Sequence, residues 1–213
     1  MSHSSSSRDR QMRQRLAQEA ARIIVESGSH DFFMAKRKAA HHLGAHDTRQ
    51  LPSNQEIEQA LVEYQRLFRS RAQPQLLRQL RETALQAMHF FVAYEPRLIG
   101  PVLTGTADVN SPVSLHVFTD TAEDISFVLM EHHIPFDIAD KTIRIGVNEH
   151  HSFPGYRFVA NDISVEVIIF PVSKRQPVPL SNVDGKPMQR ANIAVVEILI
   201  HESDVGSSII DSQ

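Results

Sequence analysis

Residues 98–119, LIGPVLTGTADVNSPVSLHVFT, decide how the chain is read. Leu98 to Leu103 spells a short apolar strand bounded by Pro96 and Gly105. From Pro112 to Thr119, Val113, Leu115 and Val117 alternate with Ser114, His116 and Phe118, the period-two pattern of a strand with two different faces. Gly105-Thr106 lies between the two. A glycine turn lets backbone N–H groups approach phosphate oxygens closely, and the neighbouring hydroxyl adds a donor.

Downstream, the pattern predicts strands with two helices. Asp120 and Thr121 are expected to cap a helix carrying Ile125, Phe127, Val128 and Met130 that ends near His133. Two hairpins should follow. One joins Phe136 and Ile138 to Ile143 and Ile145 across Ala139-Asp140-Lys141, and the other joins residues 156–159 to 163–170 across Ala160-Asn161-Asp162. A proline-spaced loop and a turn at Val183-Asp184-Gly185-Lys186 lead to a final helix over 188–201, with 202–213 as a frayed tail.

Upstream, the periodicity changes to that of helices. Met12, Leu16, Ala20, Ile23 and Ile24 share one face of a helix from Gln11 to about Ser27, with Gly28 as its stop. A second helix is capped near Asp31, holds Phe32, Phe33, Ala35, Ala39 and Leu43 inside, and ends at Gly44. Ser53-Asn54-Gln55-Glu56 has the form of a capping box, so a third helix begins there and buries Ile57, Ala60, Leu61, Tyr64, Leu67 and Phe68. Pro74 suits the first turn of a fourth, which carries Leu77, Leu80, Ala84, Met88 and Phe91 and must yield before Pro96. Together these make a helical bundle or collar.

The whole-chain figures agree with a two-part α+β protein. The chain has 213 residues, 41% of them hydrophobic and 22% charged, in the range of soluble globular domains. It lacks cysteine, which excludes disulfides, thiolate metal sites and thiol nucleophiles. Apolar runs such as Val167-Ile168-Ile169-Phe170 are strand-sized, and MSHSSSSRDR has no apolar signal core, so a cytoplasmic protein is expected. Residues 1–100 hold 15 Lys and Arg against 10 Asp and Glu, whereas residues 101–213 hold 7 against 15. A general nucleic-acid binder would carry one dominant basic surface instead.

Other patterns invite chemistry but read more simply as structure. Lys36-Arg37-Lys38 is a solvated helix face opposite Phe32, Ala35 and Ala39. His41, His42 and His46 lack a carboxylate or third ligand at rigid spacing, His132-His133 falls at a helix end, and Glu149-His150-His151 in a loop. No Gly-x-Ser-x-Gly elbow supports a serine hydrolase.

The stretch Ile99 to Ala107 followed by Ser111 to Val117, with Val165-Glu166-Val167 on a later strand, resembles the signature of the polymerase-beta-like nucleotidyltransferase superfamily, in a divergent bacterial branch. In that family a strand ends in Gly-Ser or Gly-Thr, and a Ser-Asp-x-Asp strand and a third carboxylate follow. The resemblance covers about residues 75–200. It implies a helical extension over 11–73 after a disordered tail at 1–10, and a nucleotidyltransferase-like mixed β-sheet packed with helices over 74–201. It also implies Mg²⁺ held by carboxylates against a nucleotide triphosphate, two of them at i and i+2 of one strand.

Here the family's paired carboxylates are missing. Aligned on Ser111 they fall on Pro112 and Ser114; two residues on, they fall on Ser114 and His116. Glu166 alone remains as catalytic residue and metal ligand, with Asp108 in the insertion and Asp120 at the end of the Ser111 strand as carboxylates that could be recruited. The residues left for a phosphorylated ligand are Gly105, Thr106, Ser111, Ser114 and His116, with Lys186 and Arg190 at the start of the last helix. Three readings follow. The first is a nucleotide or phosphorylated-ligand binder with weak or lost transferase activity. The second is a non-catalytic module docking a protein or nucleic acid through its basic helical half, and the third an active transferase with an unorthodox metal site.

Overall fold

The computed structural model describes residues 3–27, 31–45, 51–68, 72–146, 149–175, 178–181 and 183–210. The chain divides into two compact units: residues 1–73 with 108–110 and 182–184, and residues 74–107, 111–181 and 185–213.

The first unit is a packing of three helices, α1 (His3–Ser27), α2 (Phe32–His42) and α3 (Asn54–Phe68). Its core is small-residue rich, with Leu16, Ala20, Ala21, Ile24, Ala35, Ala39, Ile57 and Leu61 buried together. Asp31 caps α2, accepting from the Met34 N–H at 3.0 Å. The capping box at α3 forms as expected: the Ser53 N–H donates to Glu56 at 2.7 Å, and the Glu56 N–H donates to Ser53 Oγ at 3.1 Å. Two expectations need correction. Residues 3–10 belong to α1 rather than to a disordered tail. Phe33, expected inside, is 66% exposed and lies under the Arg37 guanidinium. The fourth helix, α4 (Ala72–Phe90), gives its apolar face to the core of the second unit. Gly28 and His46 lie outside the described residues, as do the side chains of Leu67 and Phe68.

The second unit is the α+β part. Its strands are β1 (Arg97–Ile99), β2 (Val113–Phe118), β3 (Phe136–Ile138), β4 (Lys141–Arg144), β5 (His150–Phe153), β6 (Gly155–Ala160) and β7 (Ile163–Phe170). Helices α5 (Gly100–Thr104), α6 (Glu123–Glu131) and α7 (Ile193–Ile210) join α4 around them. Five strands form a mixed sheet in the order β1-β2-β7-β6-β3, with β2 and β7 parallel and the other pairs antiparallel; β4 and β5 form a separate two-stranded ribbon.

Strand alternation gives the sheet two unlike faces. Val113, Leu115, Val117, Val165, Val167 and Ile169 pack with Leu80, Ala84 and Met88 of α4, Phe91 just after it, Ile125 and Leu129 of α6 and Val196 of α7 in one apolar core. The opposite face carries Ile99, Phe118, Ile168 and Phe170, which pack with Phe153 of the ribbon, Ile143 and Met188. Helices therefore cover one face, and the ribbon and the loop before α7 cover part of the other. Among the described residues no helix is long and apolar enough to cross a membrane.

Local chemistry explains where the elements differ from expectation. The strand from Leu98 stops at Ile99, because Gly100 turns at φ 72° and Pro101 opens the short helix α5. Helix α6 has no side-chain cap from Asp120 or Thr121; Asp120 instead accepts from the Val172 N–H at 3.0 Å. The first expected hairpin does not form, since β3 pairs with β6 and β4 with β5. Gly155 makes that arrangement possible. A Cβ there would lie 2.7 Å from the Ala139 carbonyl oxygen and 2.8 Å from that of Val167. The second hairpin forms with Asn161 and Asp162 at φ 51° and 62°, as a tight two-residue connection requires. The last helix starts at Ile193, not Met188, because the Asn192 side chain caps it, accepting from the Val195 N–H at 3.0 Å. Before it, Ala191 exchanges two backbone hydrogen bonds with Leu98 at 2.8 and 2.9 Å. The backbone remains helical to Ile210, through most of the expected frayed tail.

Candidate functional site

Parallel pairing places Ser114 opposite Glu166, His116 opposite Ile168 and Phe118 opposite Phe170. On the outer neighbours, Ile99 pairs with Ser114, Arg97 with His116, and Arg157 with Glu166. Since side chains at i and i+2 point the same way, Ser114, His116, Glu166, Arg97 and Arg157 all belong to the face away from the helices.

Glu166 is nearly buried and already has two cations. Arg157 donates to Oε1 through Nη2 at 2.6 Å and Nε at 3.1 Å, and Lys141 Nζ lies 2.9 Å from Oε2. Burial pushes the carboxyl's pKa up, but hydrogen bonds from Lys141 and Arg157 outweigh it and leave the group below the usual carboxylate range. Glu166 is therefore an ionised acid with both oxygens engaged.

His116 is fully buried. Its Nδ1 accepts from Arg190 Nε at 3.0 Å, its ring tilts against Phe170 with centroids 4.5 Å apart, and Nε2 is buried without a hydrogen-bond partner. Burial, reinforced by the Arg190 charge, pushes its pKa well below the usual imidazole value. A neutral ring accepting at Nδ1 carries its proton on Nε2. Arg190 stands 5.3 Å over both the Phe118 and Phe170 rings and donates from Nη1 to the Arg175 carbonyl at 3.1 Å. Burial, then the nearby Arg97 charge, pulls its pKa down to about 10.

Gly105 and Thr106 do not present free backbone donors. Gly105 is in the left-handed region at φ 84° as the C-cap of α5, and both N–H groups donate to the Pro101 carbonyl, at 2.9 and 3.0 Å. The Thr106 hydroxyl is 3.0 Å from that of Thr104, and Thr106 and Ser111 are both buried. Asp108 accepts from the Asn110 N–H at 2.9 Å. Lys186 lies in the exposed turn around Gly185, and Arg190 in the segment before α7; neither is at the start of the helix. His150 and His151 begin β5 rather than sitting in a loop, and His151 pairs with Glu149. His42 pairs with Glu19 of α1 at 2.8 Å.

Ser114, His116 and Glu166 thus come together on one sheet face, with Arg190 bound to His116. The Gly105-Thr106 turn has its N–H groups committed within α5. Sequence reasoning missed Lys141, Arg157, Arg97 and Arg175. Arg157 was within reach: counting back from the Asn161-Asp162 turn sets it opposite Glu166. Lys141 was not, because it arrives from a ribbon strand that pairs elsewhere.

Among the described residues there is no group of three or more His, Cys, Asp and Glu able to hold a metal. The donor set does not suit Mg²⁺, which requires several hard oxygen ligands free to coordinate. No family model matches the chain, and no match is found among curated proteins or solved structures.

Proposed function

We propose that this protein is a nucleotidyltransferase-like binder of a nucleotide or another phosphorylated ligand, with weak or lost transferase activity. The ligand lies against the sheet face of Ser114, His116 and Glu166. One observation carries the reading: Glu166, the acid in the position of the third carboxylate, stands opposite Ser114 on the neighbouring parallel strand and is neutralised by Lys141 and Arg157. In a transferase, free carboxylates gather metal ions, and the metals offset phosphate charge. Here the positive charges are side chains of the protein itself. Two cations for one acid leave an excess of positive charge beside the Ser114 hydroxyl, which favours an anionic ligand and needs no metal.

Calorimetric titration with ATP, GTP, CTP and UTP, in Mg²⁺ and in excess chelator, tests this. Binding of at least one nucleotide is expected with the same affinity in both buffers. Binding only in Mg²⁺, abolished in Glu166→Gln, would instead favour an active transferase with an unorthodox metal site. Absence of binding by all four would favour a module that docks a macromolecular partner.

A further inference from the structure

Three arginines gather at one edge of this face with too little negative charge to balance them. Arg97 opens β1, Arg175 ends the short 3-10 turn Val172–Arg175, and Arg190 precedes α7. Arg97 and Arg175 share a single carboxylate, Glu95. Arg190 has no acidic partner among the described residues. Its hydrogen-bond acceptors are the His116 imidazole and the Arg175 carbonyl, its guanidinium lies over two phenylalanine rings, and its Nη2 is buried without a partner. Arg175 also stands over the Phe118 ring, at 5.9 Å, so these groups share one neighbourhood.

Holding like charges together in partly buried surroundings is unfavourable unless an anion offsets them. Glu95 supplies one negative charge against three positive ones. It does so from a left-handed backbone conformation at φ 47°, which a non-glycine residue adopts at a cost. The net excess of two charges matches a phosphate dianion better than a carboxylate, and planar guanidinium groups suit its several oxygens.

We infer that Arg97, Arg175 and Arg190 form a binding site for the phosphate group of the ligand. His116 acts as a positioning residue: as a neutral acceptor it fixes the Arg190 guanidinium by its Nε–H. This inference rests on the proposed reading and specifies which side chains take the phosphate.

The test is calorimetric titration of the full chain with inorganic phosphate, and separately with the four nucleotides, at constant ionic strength set by chloride. The variants are Arg175→Gln, Arg190→Gln and, as a surface control, Arg78→Gln. Arg175 is half-exposed, so its variant remains informative if Arg190→Gln fails to fold. Inorganic phosphate is expected to bind the native chain and Arg78→Gln alike, and to lose about tenfold or more in affinity in Arg175→Gln, since one charge-assisted hydrogen bond is worth a factor of that order. A nucleotide that binds while inorganic phosphate does not would show that base and sugar contacts are also needed; its affinity should then fall in the same variant. Nucleotide or phosphate affinity unchanged in Arg175→Gln and in folded Arg190→Gln would overturn the site while leaving the proposed function standing. Failure of the native chain to bind any of these ligands would overturn both.

Discussion

Glu166 sits between two basic side chains, and its ionisation contributes to stability in a defined pH range. Its folded-state pKa lies below the ordinary value, so the unfolded chain binds the proton more readily. The contribution is complete above the ordinary carboxylate range and is lost as pH falls through that range toward the depressed folded value. Glu166→Gln should cost about 1–2 kcal/mol at neutral pH, because the partners Lys141 and Arg157 are half-exposed and are rehydrated in part. Urea denaturation at pH 7 and pH 4 measures this, and the gap between variant and native chain should narrow at the lower pH. His116 acts through the same linkage. The folded chain keeps it neutral well below the usual imidazole value, so protonation favours the unfolded state and stability should decline as pH drops below about 6.5. In His116→Asn that decline between pH 7 and 5 should be shallower. An equal slope in both proteins would show that His116 is not held neutral.

At the level of elements, the decisive feature is how β6 reaches its neighbours. Gly155 pairs with Ile168 on one side, and on the other its carbonyl accepts from the Ala139 N–H at 2.8 Å. With two carbonyl oxygens inside 3 Å of an added Cβ, Gly155→Ala should destabilise the sheet by about 2 kcal/mol or more, seen as a lower urea midpoint. This close approach also explains why β3 and β4 do not form the expected hairpin. Phe136, Ile138, Ile143 and Ile145 alternate correctly for strands, but alternation says nothing about which strand lies alongside. The short connection at Ala139-Asp140 suggests a turn, whereas the glycine sixteen positions beyond Ala139 draws β6 onto β3 instead. The β6–β7 hairpin was legible because its turn residues, Asn161 and Asp162, are chemically suited to positive φ. Helix starts were legible where a side-chain cap was noticed, as at Asp31 and Ser53. Asn192 carries the same signal for α7, whereas the expected start at Met188 has no capping side chain to fix it.

At the scale of the whole molecule, each unit has its own apolar core, and strand patterning begins at Leu98, where the helical periodicity ends. Leu16 is fully buried in the helical core, and Leu16→Ala should cost that unit about 2–5 kcal/mol. Scanning calorimetry should show the loss, while nucleotide affinity, which depends on the sheet face, should be unchanged. Of the candidate site, the shared placement of Ser114, His116 and Glu166 was legible from period-two alternation. Arg190 is among the residues the sequence points to, and Arg157 can be counted back from the Asn161-Asp162 turn. Arg97, Lys141 and Arg175 are not legible, because they come from β1, β4 and the turn after β7, and only tertiary folding brings those together. The same tertiary contacts set Lys141 and Arg157 against Glu166 and Arg190 against His116.

The most direct measurement is the binding of Mn²⁺, a paramagnetic stand-in for Mg²⁺, followed by the resonance of the free ion as protein is added, with and without a saturating nucleotide. Without nucleotide, the free-ion signal is expected to stay at its protein-free level. With nucleotide present, it should fall only by the amount the nucleotide alone takes up. Stoichiometric uptake of Mn²⁺ by the native chain, lost in Glu166→Gln, would contradict it.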